Sequence, residues 1–300
     1  MNVRPATTDD FAAIAAFLAE DETHLFGRPS RLGVADVSAW LSEPDLAHDT
    51  WLVEDGQGDG IMAVGWVQKH EDTGVAVGIV HRAWRGRGLG SKLVDRSEGR
   101  LRELGARRVH QVTLAPDVAA EPLLAGRGYR EVRRFWEMTI ELGEKPPAEP
   151  VLPAGLRVEP FSTVLAPAFH AALEEAFAEH WEYQPEPFES WWQRQRGKPD
   201  HDPSLWFLVR SGDGVVAATR NDPERSGGGW IGALGVRPAW RGRGLAKALL
   251  LHSFREFHRR GKRRVGLGVD AENATGATKL YESVGMVVDS EQLVWEKVLE

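Results

Sequence analysis

Seven residues, Ala-Trp-Arg-Gly-Arg-Gly-Leu, occur twice, at 83–89 and again at 239–245. Gly88 and Gly244 lie 156 residues apart in a chain of 300. That period is far longer than the roughly 20–50 residues of stacked repeat proteins and means a duplicated domain. The copies also agree downstream, where Gly105, Arg107, Arg108 and Val109 return at the same offset as Gly261, Arg263, Arg264 and Val265. One fold is therefore written twice.

The residue types of the repeated segment say what it is built for. Gly86, Gly88 and Gly90, and then Gly242, Gly244 and Ala246, remove side chains where a strand hands over to a helix, so backbone N–H groups can approach a ligand closely. Apolar residues at helical spacing follow at once: Leu89, Leu93, Leu101 and Leu104 in the first copy, Leu245, Leu249, Phe254 and Phe257 in the second. The amides thus open a helix, where unpaired N–H groups and the helix dipole favour an anion such as a diphosphate. Arg85, Arg87, Arg241 and Arg243 add charges that can grip phosphate oxygens. A dinucleotide fingerprint is excluded, since its third glycine would fall on Ser91 or Lys247, and neither copy has the Gly-Lys-Ser/Thr of a P-loop.

What remains is Arg-x-x-Gly-x-Gly/Ala, preceded by Val80-x-x-Ala-Trp in one half and Val236-Arg-Pro-Ala-Trp in the other. It resembles the acetyl-CoA pyrophosphate loop of the GCN5-related N-acetyltransferases (GNATs). The resemblance implies an α/β fold of two tandem domains, each a mixed, splayed β-sheet flanked by helices. It implies acetyl-CoA as cosubstrate, held by Arg85, Gly86, Arg87, Gly88, Leu89 and Gly90 and by Arg241, Gly242, Arg243, Gly244, Leu245, Ala246 and Lys247. It also implies that the strand before each loop pairs its backbone with the pantetheine arm and offers an amide to the thioester carbonyl; these residues are Gly78, Ile79 and Val80, then Leu234, Gly235 and Val236.

Composition bounds the rest. With 42% hydrophobic and 27% charged residues and no apolar run approaching about 20 residues, a soluble chain with no membrane partner is expected, each half large enough for its own core. The start, MNVRPATTDD, lacks the apolar core of a secretory signal, and a cytoplasmic location is the expectation. No cysteine is present, which removes disulfides, thiolate metal sites and a cysteine acyl-enzyme. Any acyl transfer must then use another nucleophile or be direct. A net charge of −7 argues against nucleic acid as a partner, and the basic run 259–264 reads as a solvated helix end. The ten histidines include no His-x-x-x-His pair on a helix, and no metal is expected.

The first half, 1–143, reads as a strand near Val3, a helix from about Asp9, strands at 50–54 and 61–69 around DGQGDG, a strand at 75–81, the loop and its helix, a strand near 108–114, a short helix near 121–124 and strands from 130 to 142. Residues 144–155, EKPPAEPVLPAG, are a proline-rich linker. The second half, 156–300, repeats the plan, with closing strands to Leu299.

The halves part company after the fifth strand. Beyond Asp270 the second reads AENATGATKLYESVGM, which resembles the GNAT segment Asn-x-x-Ala-x-x-Leu-Tyr-x-x-x-Gly-Phe, with Ala277 one position late and Met286 for Phe. The resemblance gives Tyr281 the proton for the departing thiolate, and Asn273 a hydrogen bond to pantetheine; Asn273 also reads as a helix cap. In the first half, aligning Gly128 with Gly285 puts Leu124 in the tyrosine's place, with no asparagine nearby. That half holds CoA or is a structural partner only; the second is expected to catalyse.

An acceptor pocket across the sheet from CoA would be walled by His180, Tyr183 and Trp230, while Trp191 and Trp192 read as packed helix face. The base stays open among Glu182, Asp222, Glu224 and His180. Transfer of acetyl to a primary amine of a small molecule or peptide is the leading reading, with a non-catalytic acyl-CoA sensor as its rival. The tandem plan also resembles the mycothiol synthase family, which acetylates a cysteinyl pseudo-disaccharide; this chain departs from its pattern at Trp230, where that family carries an acidic residue.

Overall fold

A computed structural model describes residues 2–55, 60–212, 214–273 and 275–299; most of the turn DGQGDG and Asp213 of SGDG lie outside the described residues. The elements in chain order are β1 (Asn2–Arg4), α1 (Phe11–Phe26), α2 (Val34–Trp40), α3 (Leu46–Asp49), β2 (Thr50–Glu54), β3 (Ile61–His70), β4 (Thr73–Val80), α4 (Leu89–Glu103), β5 (Arg108–Leu114), α5 (Ala120–Ala125) and β6 (Arg130–Glu141). The plan then repeats as β7 (Val158–Pro160), α6 (Ala166–Phe177), α7 (Phe188–Gly197), β8 (Phe207–Ser211), β9 (Gly214–Arg225), β10 (Gly228–Val236), α8 (Leu245–Arg259), β11 (Arg264–Asp270), α9 (Ala277–Glu282) and β12 (Val287–Val298). Among the described residues, no helix is long and apolar enough to cross a membrane.

The chain forms two compact units. The first holds residues 1–136, 270–272 and 290–300, and the second holds 137–269 and 273–289. A division into 1–143, a linker and 156–300 therefore needs amending, because the last strands are exchanged. In the first unit β5 pairs antiparallel with β12, from Arg108 opposite Val298 to Leu114 opposite Gln292. The Leu299 N–H then donates to the Arg107 carbonyl at 2.8 Å, and in the second unit the Leu142 N–H donates to Arg263 at 2.6 Å. Two strands that close the same fold fit each other's places, so the duplication itself makes the exchange cheap. Each closing segment is one long strand, where several shorter ones were expected.

Each unit buries an apolar face of its sheet under the helix that follows the repeated loop. In the first, Leu93 and Leu89 pack on Val53, Met62 and Ala63; in the second, Leu245 and Leu249 pack on Phe207, Val209 and Val216. The opposite face of the second unit carries a cluster of rings in which Phe169 stacks on Trp206 at 5.6 Å, Phe161 meets Trp206 edge-on at 5.0 Å, and Trp191 stacks beside Trp192 at 5.9 Å. The helix-face reading of Trp191 and Trp192 is thereby met. Helix α1 starts after a turn closed by Thr7 and Asp10, whose carboxylate takes the Thr7 N–H at 2.8 Å, and Asp9 does not cap it.

Candidate active site

Both units build the repeated segment in the same way. Strand β4 ends at Val80, the His81 N–H bonds the Met62 carbonyl at 2.9 Å, and the Trp84 N–H bonds His81 at 2.8 Å. Strand β10 ends at Val236 with Arg237 on Val216 at 3.0 Å and Trp240 on Arg237 at 2.8 Å. Gly86, Gly88, Gly242 and Gly244 have φ of 74°, 80°, 75° and 79°, a left-handed backbone that any other L-residue adopts only at a cost of roughly 1–2 kcal/mol. Gly88 and Gly244 are the N-caps, and the first bonds back into the helices come from Lys92 to Gly88 at 3.1 Å and Ala248 to Gly244 at 3.0 Å. The amides of 86–91 and 242–247 are left with no partner among the described residues. This is a cradle for an anion.

The arginines divide into two kinds. Arg87 and Arg243 are exposed, each guanidinium lying 4.5 Å over the ring of its own Trp84 or Trp240, beside the cradle. Arg85 and Arg241 are engaged by protein instead of being left to grip phosphate. Arg241 donates to Glu179 at 2.7 Å and to the Ala176 carbonyl at 3.2 Å, which ties the second loop to the end of α6. Arg85 donates to the Val80 carbonyl at 3.1 Å, to Asp117 at 3.1 Å and to buried Asp21 at 2.9 Å. Burial pushes the Asp21 carboxyl above its ordinary value, and Arg85 pulls it back.

The strands splay as expected. Parallel pairing of β4 with β5 stops at Ala76 opposite Gln111, and that of β10 with β11 stops at Ile231 opposite Leu267. Beyond those points Gly78, Ile79 and Val80 in one unit, and Leu234, Gly235 and Val236 in the other, pair on one side only, with β3 and β9 respectively. In the first unit the Arg85–Asp117 pair spans the mouth of this cleft, from the loop after β4 to the turn after β5. The cleft of the second unit has no such bridge among the described residues.

A difference unread in the sequence lies on β10. Its register with β9 slips between Ile231 and Ala233, a bulge at Gly232, whereas β4 runs against β3 without a break. Behind the bulge the Thr219 hydroxyl lies 3.0 Å from the Ala233 carbonyl and 2.9 Å from Asn221 Oδ1, and the Asn221 amide donates to Leu205 at 2.7 Å and Ser253 at 2.9 Å. Thr219, Asn221 and Ser253 are fully buried. A glycine between apolar strand residues is a recognised bulge signal, and Gly232 carried it.

Helix α9 places Tyr281 inside the second unit at 8% exposure, with no hydrogen-bond partner to its hydroxyl among the described residues. Burial pushes the phenol up to about 12. Asn273 does not cap this helix: Gly276, at φ 76°, is the cap residue, and Asn273 Oδ1 accepts the Thr275 N–H at 2.8 Å. That turn leaves the Asn273 Nδ2 donors without a partner among the described residues. In the first unit Asp117 makes the matching turn, its Oδ1 accepting from Ala119 at 3.3 Å.

Of the expected acceptor-wall residues, His180 and Tyr183 share one turn, the Tyr183 N–H donating to the His180 carbonyl at 3.1 Å, while Trp230 is buried. Trp230 is 6% exposed, packed where even a methyl group on Gly266 would come within 2.7 Å of its ring, and covered by Arg225 at 4.5 Å. It is a packing residue. His180 meets the Phe177 ring edge-on at 4.5 Å. Burial, with the Glu174 and Glu186 carboxylates nearby, pushes the Tyr183 phenol above its ordinary range. Of the four carboxylate and histidine candidates for a base, Asp222 alone is placed against the bulge, beside Gly232.

The sequence profile of the Acetyltransferase (GNAT) family matches residues 15–129 and 167–286, and the chain belongs to that family. It is an acyltransferase of the tandem kind. Among its relatives, a mycothiol acetyltransferase of Thermobispora bispora is 34% identical over 69% of this chain and 70% of its own length. One of Streptomyces scabiei is 34% identical over 72% and 69%. A GCN5-related N-acetyltransferase structure from Sphaerobacter thermophilus superposes over 100% of this chain and 96% of its own with a TM-score of 0.86 at 33% identity. A tandem GNAT protein from the clavulanic acid biosynthesis pathway shares the fold, at TM-score 0.73 and 15% identity.

Proposed function

We propose that the second unit transfers acetyl from acetyl-CoA to a primary amine of a small molecule or peptide by direct attack, and that the first unit does not catalyse. The observation that carries this reading is that only the second unit has a phenol, Tyr281, where the other has Leu124, together with a splayed cleft that no ion pair crosses among the described residues.

The amides of Gly242, Arg243, Gly244, Leu245, Ala246 and Lys247 receive the diphosphate, with Arg243 beside it. The free edge of Leu234, Gly235 and Val236 takes the pantetheine, and Asn273 Nδ2 donates to one of its carbonyls. The bulge turns a strand amide toward the thioester oxygen, where fixed donors stabilise the charge that builds as the amine attacks. The C–S bond then breaks, Tyr281 protonates the sulfur, and the proton shed by the new amide nitrogen returns through solvent to the phenolate. Burial supports this role, because a phenol pushed up to about 12 stays protonated throughout the neutral range.

The first unit has Leu124 in place of the phenol, and Arg85 and Asp117 close its cleft. In that unit Arg85 is taken by Asp21 and Asp117 across the cleft, and we read the loop residues Arg85 to Gly90 and the strand residues Ile79 and Val80 as scaffold. A finer reading follows the named relatives and makes the acceptor a cysteinyl pseudo-disaccharide amine. The identity to those relatives favours it.

Release of free CoA, followed with a thiol reagent against amines that include aminosugars, peptides and that cysteinyl conjugate, tests the proposal. Turnover with at least one amine is the expected result. Background rates with all of them, together with tight CoA binding, would favour a sensor.

A further inference from the structure

The two units supply an internal control for the face of the sheet behind the bulge. The bonds His81 to Met62 and Arg237 to Val216 fix the correspondence of β3 with β9. Registers agree with it: Trp66 stands opposite Val77, and Arg220 stands opposite Ala233. Gly65, Trp66, Val67 and Gln68 of the first unit thus become Thr219, Arg220, Asn221 and Asp222 of the second. Trp66 is buried and stacks on Trp40 at 6.3 Å, an ordinary apolar solution for this place.

In the second unit the same place holds an ion pair. Arg220 Nη1 donates to Asp222 Oδ1 at 2.7 Å, and the two side chains are only 13% and 17% exposed. Removing charges from water is costly, and apolar residues of similar size commonly do as well for stability. The first unit shows that uncharged residues, Trp66 and Gln68, suffice here. The pair also sits against the reacting end of β10, since a methyl group on Gly232 would lie 2.6 Å from Arg220 Nη2 and 2.7 Å from Asp222 Oδ2. Absence of a side chain at 232 lets the pair reach the bulge, and Oδ2 has no hydrogen-bond partner among the described residues.

We propose that Asp222 Oδ2, held by Arg220, is the acceptor-amine anchor of the second unit: it takes an N–H of the incoming amine and orients the lone pair toward the acetyl carbon. The inference rests on the reading of this unit as an acetyltransferase. Asp222 supplies on β9 the carboxylate that Trp230, opposite it in register, does not supply on β10. Because its partner is a guanidinium, it positions the amine and is not itself the base. Lys198, part-buried nearby, has its ammonium pKa lowered by burial and by Arg220. A second cation beside the pair favours the neutral, nucleophilic form of the amine.

Two isosteric thioethers test this without the natural acceptor. S-(2-aminoethyl)-CoA places an amine just past the sulfur, and S-propyl-CoA places a methyl group there. By calorimetry, wild-type protein is expected to bind the amine at least tenfold more tightly than the alkyl compound. In the double variant R220M/D222L, which removes both charges from this face as in the first unit, the gap falls to within twofold while CoA itself binds as before. Equal binding of the two thioethers by wild type, or an undiminished gap in the double variant, overturns the proposal. Failure of CoA itself to bind removes the acetyltransferase reading and this inference with it.

Discussion

Leu124 and Tyr281 occupy the same place in two copies of one fold. The Leu124 carbonyl accepts the Tyr129 N–H at 3.1 Å, and the Tyr281 carbonyl accepts the Met286 N–H at 3.1 Å. Their side chains are both buried, at 3% and 8% exposure, so the position is a core position by default. A phenol there carries a desolvation cost that leucine avoids. The second unit bears that cost, which supports a chemical use for the hydroxyl.

Tyr281→Phe removes only an oxygen. We expect turnover to fall by about 10²-fold, the lower range for loss of a positioned proton donor, with the dissociation constant for acetyl-CoA within twofold of wild type. Steady-state thiol release and calorimetry on the same preparation give both numbers. Unchanged turnover would take Tyr281 out of the mechanism.

Alkaline titration addresses the tyrosines as a set. The chain has three, and burial raises all of them, Tyr281 to about 12. A raised acid binds its proton more tightly in the folded state, so its contribution is fully present below the unfolded value near 10 and is lost as pH rises through the folded value. Tyrosinate absorbance should therefore lag beyond pH 10 and grow in with unfolding, and Tyr281→Phe should postpone that unfolding. A tyrosine ionising near 10 in the native protein would contradict this.

The network behind the bulge gives a stability prediction. Asn221→Ala removes the donor to the Leu205 carbonyl and to Ser253 Oγ in a fully buried place, while the Thr219 and Ser253 hydroxyls keep the Ala233 and Leu249 carbonyls. A loss of about 2–4 kcal/mol is expected in urea denaturation, since unmet buried polar groups add to the lost side chain. A change below about 0.5 kcal/mol would show that the network is not closed as described.

Strand exchange can be tested by truncation. Deleting residues 290–300 removes the partner of β5 from the first unit. Amide exchange at Val109 to Val112 should accelerate at least tenfold, as expected for a strand whose partner on one side is gone. Unaltered protection would mean that β5 is closed by its own β6.

The fold was legible because duplication prints every signal twice. Gly88 and Gly244 each needed a left-handed backbone, and the apolar spacing after each fixed the helix. Leu124 against Tyr281 was legible for the same reason, once one residue of slippage was allowed. The exchange of β6 and β12 was not legible, since strands equivalent by descent satisfy either neighbour and their sequences carry no preference. Nor was the fate of Arg85: its partners Asp21 and Asp117 come from elements 64 and 32 residues away, and only the folded chain brings them to the cleft. Asp222 was one of four open candidates for the base and Arg220 carried no signal of its own; only the fold, with Gly232 bare beside them, places the two against the bulge.

The most direct test of the central claim is calorimetric titration of acetyl-CoA into wild type, Gly88→Val and Gly244→Val. A β-branched residue at φ near +80° distorts the cradle it belongs to. One site per chain, kept in Gly88→Val and lost in Gly244→Val, is the predicted result. Two sites in wild type, or a single site abolished by Gly88→Val, would contradict the assignment of coenzyme binding to the second unit.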